Sequence, residues 1–302
     1  MKDMSRDCVA PQWYRRFADS YAVFSRDRFA WICALAGMGF IAVAAFAPVI
    51  APYDPSDLAT VELANSMLPP FSPSEFGDGF HYLGTDILGR DILSMALFGL
   101  RISLAVATLS AVGALLLGCL AGLVAAFAPS WMNAVIMRVV DLFLGFPAIL
   151  TALLFISVLG RGAENTVLAI LAVQWTHYAR AVNAAAKTEL GKDYVQAAKL
   201  LGVSKMRIAI EHVLPNCLAP VWVIFAVQFG YVIAIEASLS FLGLGLPITQ
   251  PSLGSLVADG QQYMLSGIYW ISLLPGFILL LLVFSINVVG DRLRVMQNPE
   301  LV

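Results

Sequence analysis

Residues 102–128 read ISLAVATLSAVGALLLGCLAGLVAAFA and contain no charged side chain. A bilayer core about 30 Å thick is crossed by a helix of about 20 mostly apolar residues. This stretch is long enough, and it has no polar face of the kind a soluble surface helix needs. Five further stretches read the same way, at 29–50, 134–159, 166–182, 218–239 and 269–289. The fourth in chain order, 166–182, is the most polar, because Gln174, Thr176 and His177 interrupt it. Composition agrees: 60% of the chain is apolar and 13% charged, against about half and about a quarter in soluble domains. That excludes a soluble enzyme and a disordered chain. A net charge of −2 leaves no basic footprint for nucleic acid. The expected fold is an all-α integral membrane protein with six transmembrane helices.

Lys and Arg orient it, since cytoplasmic loops carry the excess of both. With the N-terminus inside, the tail 1–28 holds Lys2, Arg6, Arg15, Arg16, Arg26 and Arg28. Arg138, Arg180, Lys187, Lys192, Lys199, Lys205, Arg207, Arg292 and Arg294 are also inside, and only Arg90, Arg101 and Arg161 fall outside. Both termini are therefore expected in the cytoplasm. The first apolar stretch is too long for a typical signal-peptide core and is read as a retained span. Residues 51–101 become an external loop ending in a short amphipathic helix, with Asp86 or Asp91 as its start. Residues 102–289 become a five-helix core containing a cytoplasmic loop at 183–217. Residues 241–267 form a second external loop, and 290–302 a cytoplasmic tail.

The cytoplasmic loop contains GKDYVQAAKLLGVSKMRIAIEHVLPN at 191–216. Residues 193–201 read as a helix with Tyr194, Ala197, Ala198 and Leu201 on one side. Gly202 is placed to end it in a left-handed conformation, and Ser204 to cap a second short helix. Met206, Ile210 and Val213 recur at helical spacing there, and Pro215 is expected to stop it before the next span. The product is a helix–Gly–helix elbow. Its apolar stripe suits either the lipid headgroup layer or a groove on a partner protein.

These residues resemble the EAA loop of permease subunits of ATP-binding-cassette importers. That pattern is Glu-Ala-Ala, three residues, Gly, nine residues, then Ile-x-Leu-Pro. Here it is Gln196-Ala197-Ala198, Gly202, and His212-Val213-Leu214-Pro215, with Gln in place of Glu and His in place of Ile. The resemblance extends to the dipeptide, oligopeptide and nickel branch, in its shorter permease type. It is carried by GTDILGRDILSMALFGLRISL at 84–104, MRVVDLFLGFPAIL at 137–150, EASLSFLGLGLP at 236–247 and GDRLRVMQNP at 290–299. Met95 stands where Arg is usual, Leu253 where Trp is usual, and Asn298 where Asp is common.

The resemblance implies the permease fold of a type I importer, placed in the bacterial inner membrane. It implies a second homologous permease, two cytoplasmic ATP-binding subunits and an extracytoplasmic binding protein as partners, with lipid around the spans. The cargo it implies is dipeptides or oligopeptides, with nickel chelates, glutathione or another small solute as alternatives. ATPase docking then falls on Gln196, Ala197, Ala198, Leu201, Gly202, Val203 and Met206. The sequence has no GxxxxGK[ST] phosphate loop, so ATP and Mg belong to the partner subunits and this chain is expected to bind no cofactor.

Glu236, near the outer end of the fifth span, and His177, inside the fourth, are candidates for the translocation path, because ionisable groups at that depth are costly. The plainer readings are a hydrogen bond from Glu236 to Ser238 or Ser240, and a packing role for His177. Arg138 and Asp141, spaced i, i+3, are expected to pair. Cys8, Cys33, Cys119 and Cys217 suggest neither a disulfide nor a metal site. A stand-alone secondary transporter would carry charges deep in several spans, and a membrane enzyme would cluster acids or a Cys–His pair; neither pattern is present.

Overall fold

The computed structural model describes residues 27–55, 63–74, 79–247 and 250–297. The expected tail 1–28 lies outside these residues up to position 26, as does the end of the C-terminal tail from Asn298. The described chain is helical apart from a small antiparallel pair, β1 (Ser72–Pro73) and β2 (Phe80–His81), in register Ser72 to His81.

Helix α1 is Arg28–Ile50. Asp27 caps it by accepting from the amides of Phe29 and Ala30, which satisfies two of the orphan donors at a helix start. Helix α2, Ile92–Phe127, is continuous over 36 residues. The expected short amphipathic helix and the second span are one continuous helix. Asp91 is its cap, accepting from the Ser94 amide at 2.8 Å. Asp86 instead closes the preceding turn, taking the amides of Leu88 and Arg90 and the Arg90 side chain.

The expected third span is two helices, α3 (Ser130–Gly145) and α4 (Ala148–Leu159), meeting at 98°. The cause is local. A residue before proline is driven out of the helical region, and Phe146, preceding Pro147, is extended at φ −97°, ψ 145°. Helix α5 is Ala163–Leu190, α6 is Asp193–Leu200, and α7 is the single turn Lys205–Arg207. A π-helical stretch, Ile208–Val213, joins α7 to α8, Leu214–Phe241. Pro215 therefore does not stop the helix, and Lys205–Phe241 runs through it. Pro lacks an amide and crowds the carbonyl four residues back; the wider π turn just before it relieves both problems. After α9 (Leu253–Gln261), helix α10 (Trp270–Gln297) completes the bundle.

Among the described residues, four helices are long and apolar enough to cross a membrane, or five if the bent α3–α4 pair counts as one span. Helices α2 and α5 form the most extensive pair. Small residues make this close approach possible, as in other membrane bundles. A Cβ added at Gly118 would stand 2.4 Å from the Trp175 carbonyl oxygen, and one at Gly122 2.5 Å from that of Ala179. Ala107, Ala111 and Ala114 are fully buried along the same helix. By contrast α1 leaves Ile32, Leu35, Met38 and Phe46 exposed, an apolar face suited to lipid.

Candidate functional site

The elbow expected at 191–216 forms a helix, a glycine turn and a second helical segment. Gly202 has φ +78°, in the left-handed region where Gly costs least. The Ser204 hydroxyl accepts from the Arg207 amide at 3.4 Å. The stripe is distributed differently from expectation. Val195 and Ala198 turn inward with Ile208, Val213 and Cys217, and Val203 packs against that cluster. Gln196, Ala197, Gly202 and Met206 lie at the surface. Leu201 is 84% exposed, beside Leu200 at 90%. Of the helically spaced trio, Met206 and Ile210 are exposed and only Val213 is buried. Leu200, Leu201, Met206 and Ile210 thus give the elbow an apolar tip. Leu200 is the member that helical periodicity alone did not single out.

Polar side chains tie the elbow to the bundle. Glu189, at the C-terminal end of α5, accepts from Lys192 Nζ at 2.5 Å and from the Tyr194 hydroxyl at 2.7 Å. Asn216 Nδ2 donates to the Tyr194 oxygen at 3.1 Å and to the His212 carbonyl at 2.7 Å. Gln196 Nε2 donates to the Leu190 carbonyl at 2.6 Å, closing the end of α5. A glutamate at that position has no proton to give to that carbonyl when ionised.

At the end of the bundle away from the elbow, an apolar cavity of about 710 Å³ opens between α4, α8, α9 and α10. Ile149, Ala237, Phe241, Val257 and Phe284 line it. Glu236 is fully buried and is not among the lining residues. Its Oε1 accepts from the Ser240 hydroxyl at 2.8 Å, whereas Ser238 donates to the Ala234 carbonyl. Ser103 of α2 stands beside the same carboxylate and accepts from the Leu253 amide at 3.3 Å. The expected external loop 241–267 therefore contains a helix, α9, inserted into the bundle. Ser252 and Ser255 cap it reciprocally, a signal present in the sequence and not used there.

His177 is half-buried on α5, one turn from Gln174 and beside Tyr178, both fully buried. Arg138 and Asp141 do not pair. Asp141 is bound instead by Arg180 of α5, because α3 packs antiparallel to α5 and presents Asp141 to it. Cys33 and Cys217 are buried and Cys119 is half-buried, all as free thiols. Among the described residues, no three His, Cys, Asp or Glu side chains come together in a metal-binding group.

Residues 114–301 match the family described as binding-protein-dependent transport system inner membrane component. The chain belongs to this family. As such it is a multi-pass inner-membrane permease of a binding-protein-dependent ATP-binding-cassette transporter and is not itself the ATPase. Residues 16–70 match the N-terminal transmembrane domain of oligopeptide transport permease C. The di/tripeptide transport system permease protein DppC of Pseudomonas aeruginosa is 40% identical over 272 residues, 89% of this chain and 88% of its own length. The dipeptide permease DppC of Escherichia coli K12 is 36% identical over 259 residues, 86% of this chain and 85% of its own. Among solved structures, an inward-facing MetNI methionine ABC transporter is similar at a TM-score of 0.55 and 19% identity. It covers 68% of this chain and 97% of that one. At that identity the likeness concerns the importer-permease fold alone.

Proposed function

We propose that this permease carries dipeptides or short oligopeptides inward, as half of a heterodimeric pore completed by a second, homologous permease. Two cytoplasmic ATPase subunits, holding ATP and Mg, dock on its elbow, and an extracytoplasmic binding protein delivers the cargo. The observation that carries the reading is the elbow tip. Leu200, Leu201, Met206 and Ile210 are exposed apolar side chains in a segment, 191–216, that also carries six charged residues. A surface patch of that kind marks a binding site, and a short helix laid into a partner groove is a standard mode of recognition. The peptide cargo is supported by the relatives of similar length named above.

Six crossings with both termini inside complete this reading: α1, α2, the broken α3–α4 pair, α5, α7–α8 and α10. Helix α5 has 28 residues, about 42 Å at 1.5 Å per residue, ample for a crossing despite its polar side chains. The division into tail 1–28, first span 29–50, external segment 51–101, core 102–289 and tail 290–302 follows. The translocation path runs along the apolar cavity, with Glu236 behind its wall and His177 toward the cytoplasmic side. ATP binding draws the ATPases together and rocks the docked elbows, switching access across the pore.

The test is affinity purification of the tagged chain from native membranes in mild detergent, followed by reconstitution. Recovery of two ATPases and a second permease, with ATP-dependent dipeptide uptake into proteoliposomes, is expected. Recovery of the chain alone, moving solute without ATP, would overturn the reading.

A further inference from the structure

The elbow is joined to α5 only through the turn at Gly191 and Lys192, and it runs into α8 through a π-helical stretch. Both junctions are places where a push on the elbow would be absorbed as bending. Three side chains cross them: Gln196 on α6 bonds the Leu190 carbonyl at the end of α5, and Tyr194 and Asn216 make a longer bridge. Tyr194, on α6, reaches back to Glu189 on α5 at 2.7 Å. Its oxygen also accepts a hydrogen bond from Asn216 Nδ2 on α8 at 3.1 Å. Asn216 in turn holds the His212 carbonyl at the end of the π stretch. The Tyr194 hydroxyl has one proton to give, and Glu189 receives it; its oxygen is satisfied by Asn216. One hydroxyl thus binds three elements.

We propose that Tyr194 and Glu189 are positioning residues for coupling: they lock α5, α6 and the start of α8 into one lever. Displacement of the elbow then reaches the bundle rather than dissipating in the two junctions. The inference rests on the reading that the ATPases act at the elbow, and it adds which side chains carry the motion inward. The apolar seat of Val195 and Ala198 holds α6 against the bundle, but apolar contacts are not directional. The hydrogen-bonded strut is what fixes the angle.

The experiment uses the whole complex, with a single cysteine at Ser238→Cys, on the wall of the apolar cavity, in a background whose native cysteines are replaced. The labelling rate by a membrane-impermeant maleimide is compared with and without vanadate-trapped ATP, and the co-purified ATPases are quantified. In the parent, trapping is expected to change the rate about fivefold or more, the lower end of a typical coupling between sites. Tyr194→Phe and Glu189→Leu should retain the ATPases and lose most of that response. Glu189→Gln, which keeps an acceptor for the Tyr194 proton, should preserve it, and the Tyr194→Phe/Glu189→Leu pair should be no worse than either alone. A full response in Tyr194→Phe overturns the strut, and so does loss of the ATPases from that variant, which would make the contact part of docking. A parent that keeps its ATPases but shows no response overturns the elbow reading itself.

Discussion

Gly254 of α9 lies against the backbone of Ala237 in α8, so closely that an added Cβ would stand 2.3 Å from the Ala237 carbonyl oxygen. No side chain fits there. The contact seats α9 in the bundle, and Ala237 and Gly254 both line the apolar cavity.

Replacing Gly254 with Val should therefore push α9 outward. Overpacking of this kind costs about 1–3 kcal/mol. Thermal unfolding of the purified complex should shift downward and substrate uptake should fall sharply, while Gly37→Ala, within helix α1 and with nothing within 4 Å of an added Cβ, changes uptake little. Equal effects from both substitutions would contradict the seating of α9.

A second close approach holds α2 to α5. Leu at Gly118 would collide with the Trp175 carbonyl and the Tyr178 side chain. The level of Gly118→Leu recovered in the membrane should drop severalfold relative to Gly145→Ala, a position with open space around it. Immunoblotting of membranes measures this directly.

The ion pair between Arg180 and Asp141 replaces the one expected within α3. Both side chains are about half exposed, and exposed pairs are worth under about 1 kcal/mol. A double-mutant cycle on Asp141→Ala and Arg180→Ala should show a small favourable coupling. The matching cycle on Arg138→Ala and Asp141→Ala should show none.

At the elbow tip, Gly202→Asp puts a side chain at φ +78°, a strain of about 1–2 kcal/mol, and adds charge beside Leu201. The subunit should insert normally but co-purify with less ATPase and transport poorly. Undiminished transport would count against docking at this turn.

The strut also has a pH signature. Burial raises the Tyr194 hydroxyl, aided by the hydrogen bond to Glu189 and its charge, up to about 12. For Glu189, outside the spanning part of α5, burial acts upward, but the hydrogen bonds from Lys192 and Tyr194 and the Lys192 charge outweigh it, leaving the carboxyl below its usual 4.5. A depressed acid contributes above its unfolded value and is lost as pH falls through its folded one; a raised hydroxyl contributes below 10 and is lost on the way to about 12. The ATP-induced labelling response should thus be flat between about pH 6 and 9. A bend in that window, absent from Glu189→Gln, would contradict the assigned protonation states.

Much of the architecture is legible in the residues because the bilayer imposes a length and an absence of charge that few other structures share. The apolar helices at 29–50, 102–128, 218–239 and 269–289, and the Gly202 turn, follow from apolar runs and the freedom of one glycine. Phe146-Pro147 carried the signal for the bend in the third span, but its 98° angle is set by the packing of α3 and α4 on α5.

What only the tertiary structure decided are relations between segments far apart in the chain. Helix α9 reads as an external loop because nine residues with several Gly and Ser have no period long enough to announce burial; its seat exists only where Gly99, Ala237 and Gly254 bring three backbones together. Asp141 had Arg138 within reach on its own helix and met Arg180 instead, since partner choice depends on which helix packs alongside. Tyr194, Glu189 and Asn216 are ordinary polar residues in the sequence. They become a strut because the elbow folds back and sets one hydroxyl between two helices. The sequence by itself determined which segments are long and apolar enough to suit a membrane and where the chain can turn. Packing alone determined which side chains meet, because long-range contacts leave no local periodicity to read.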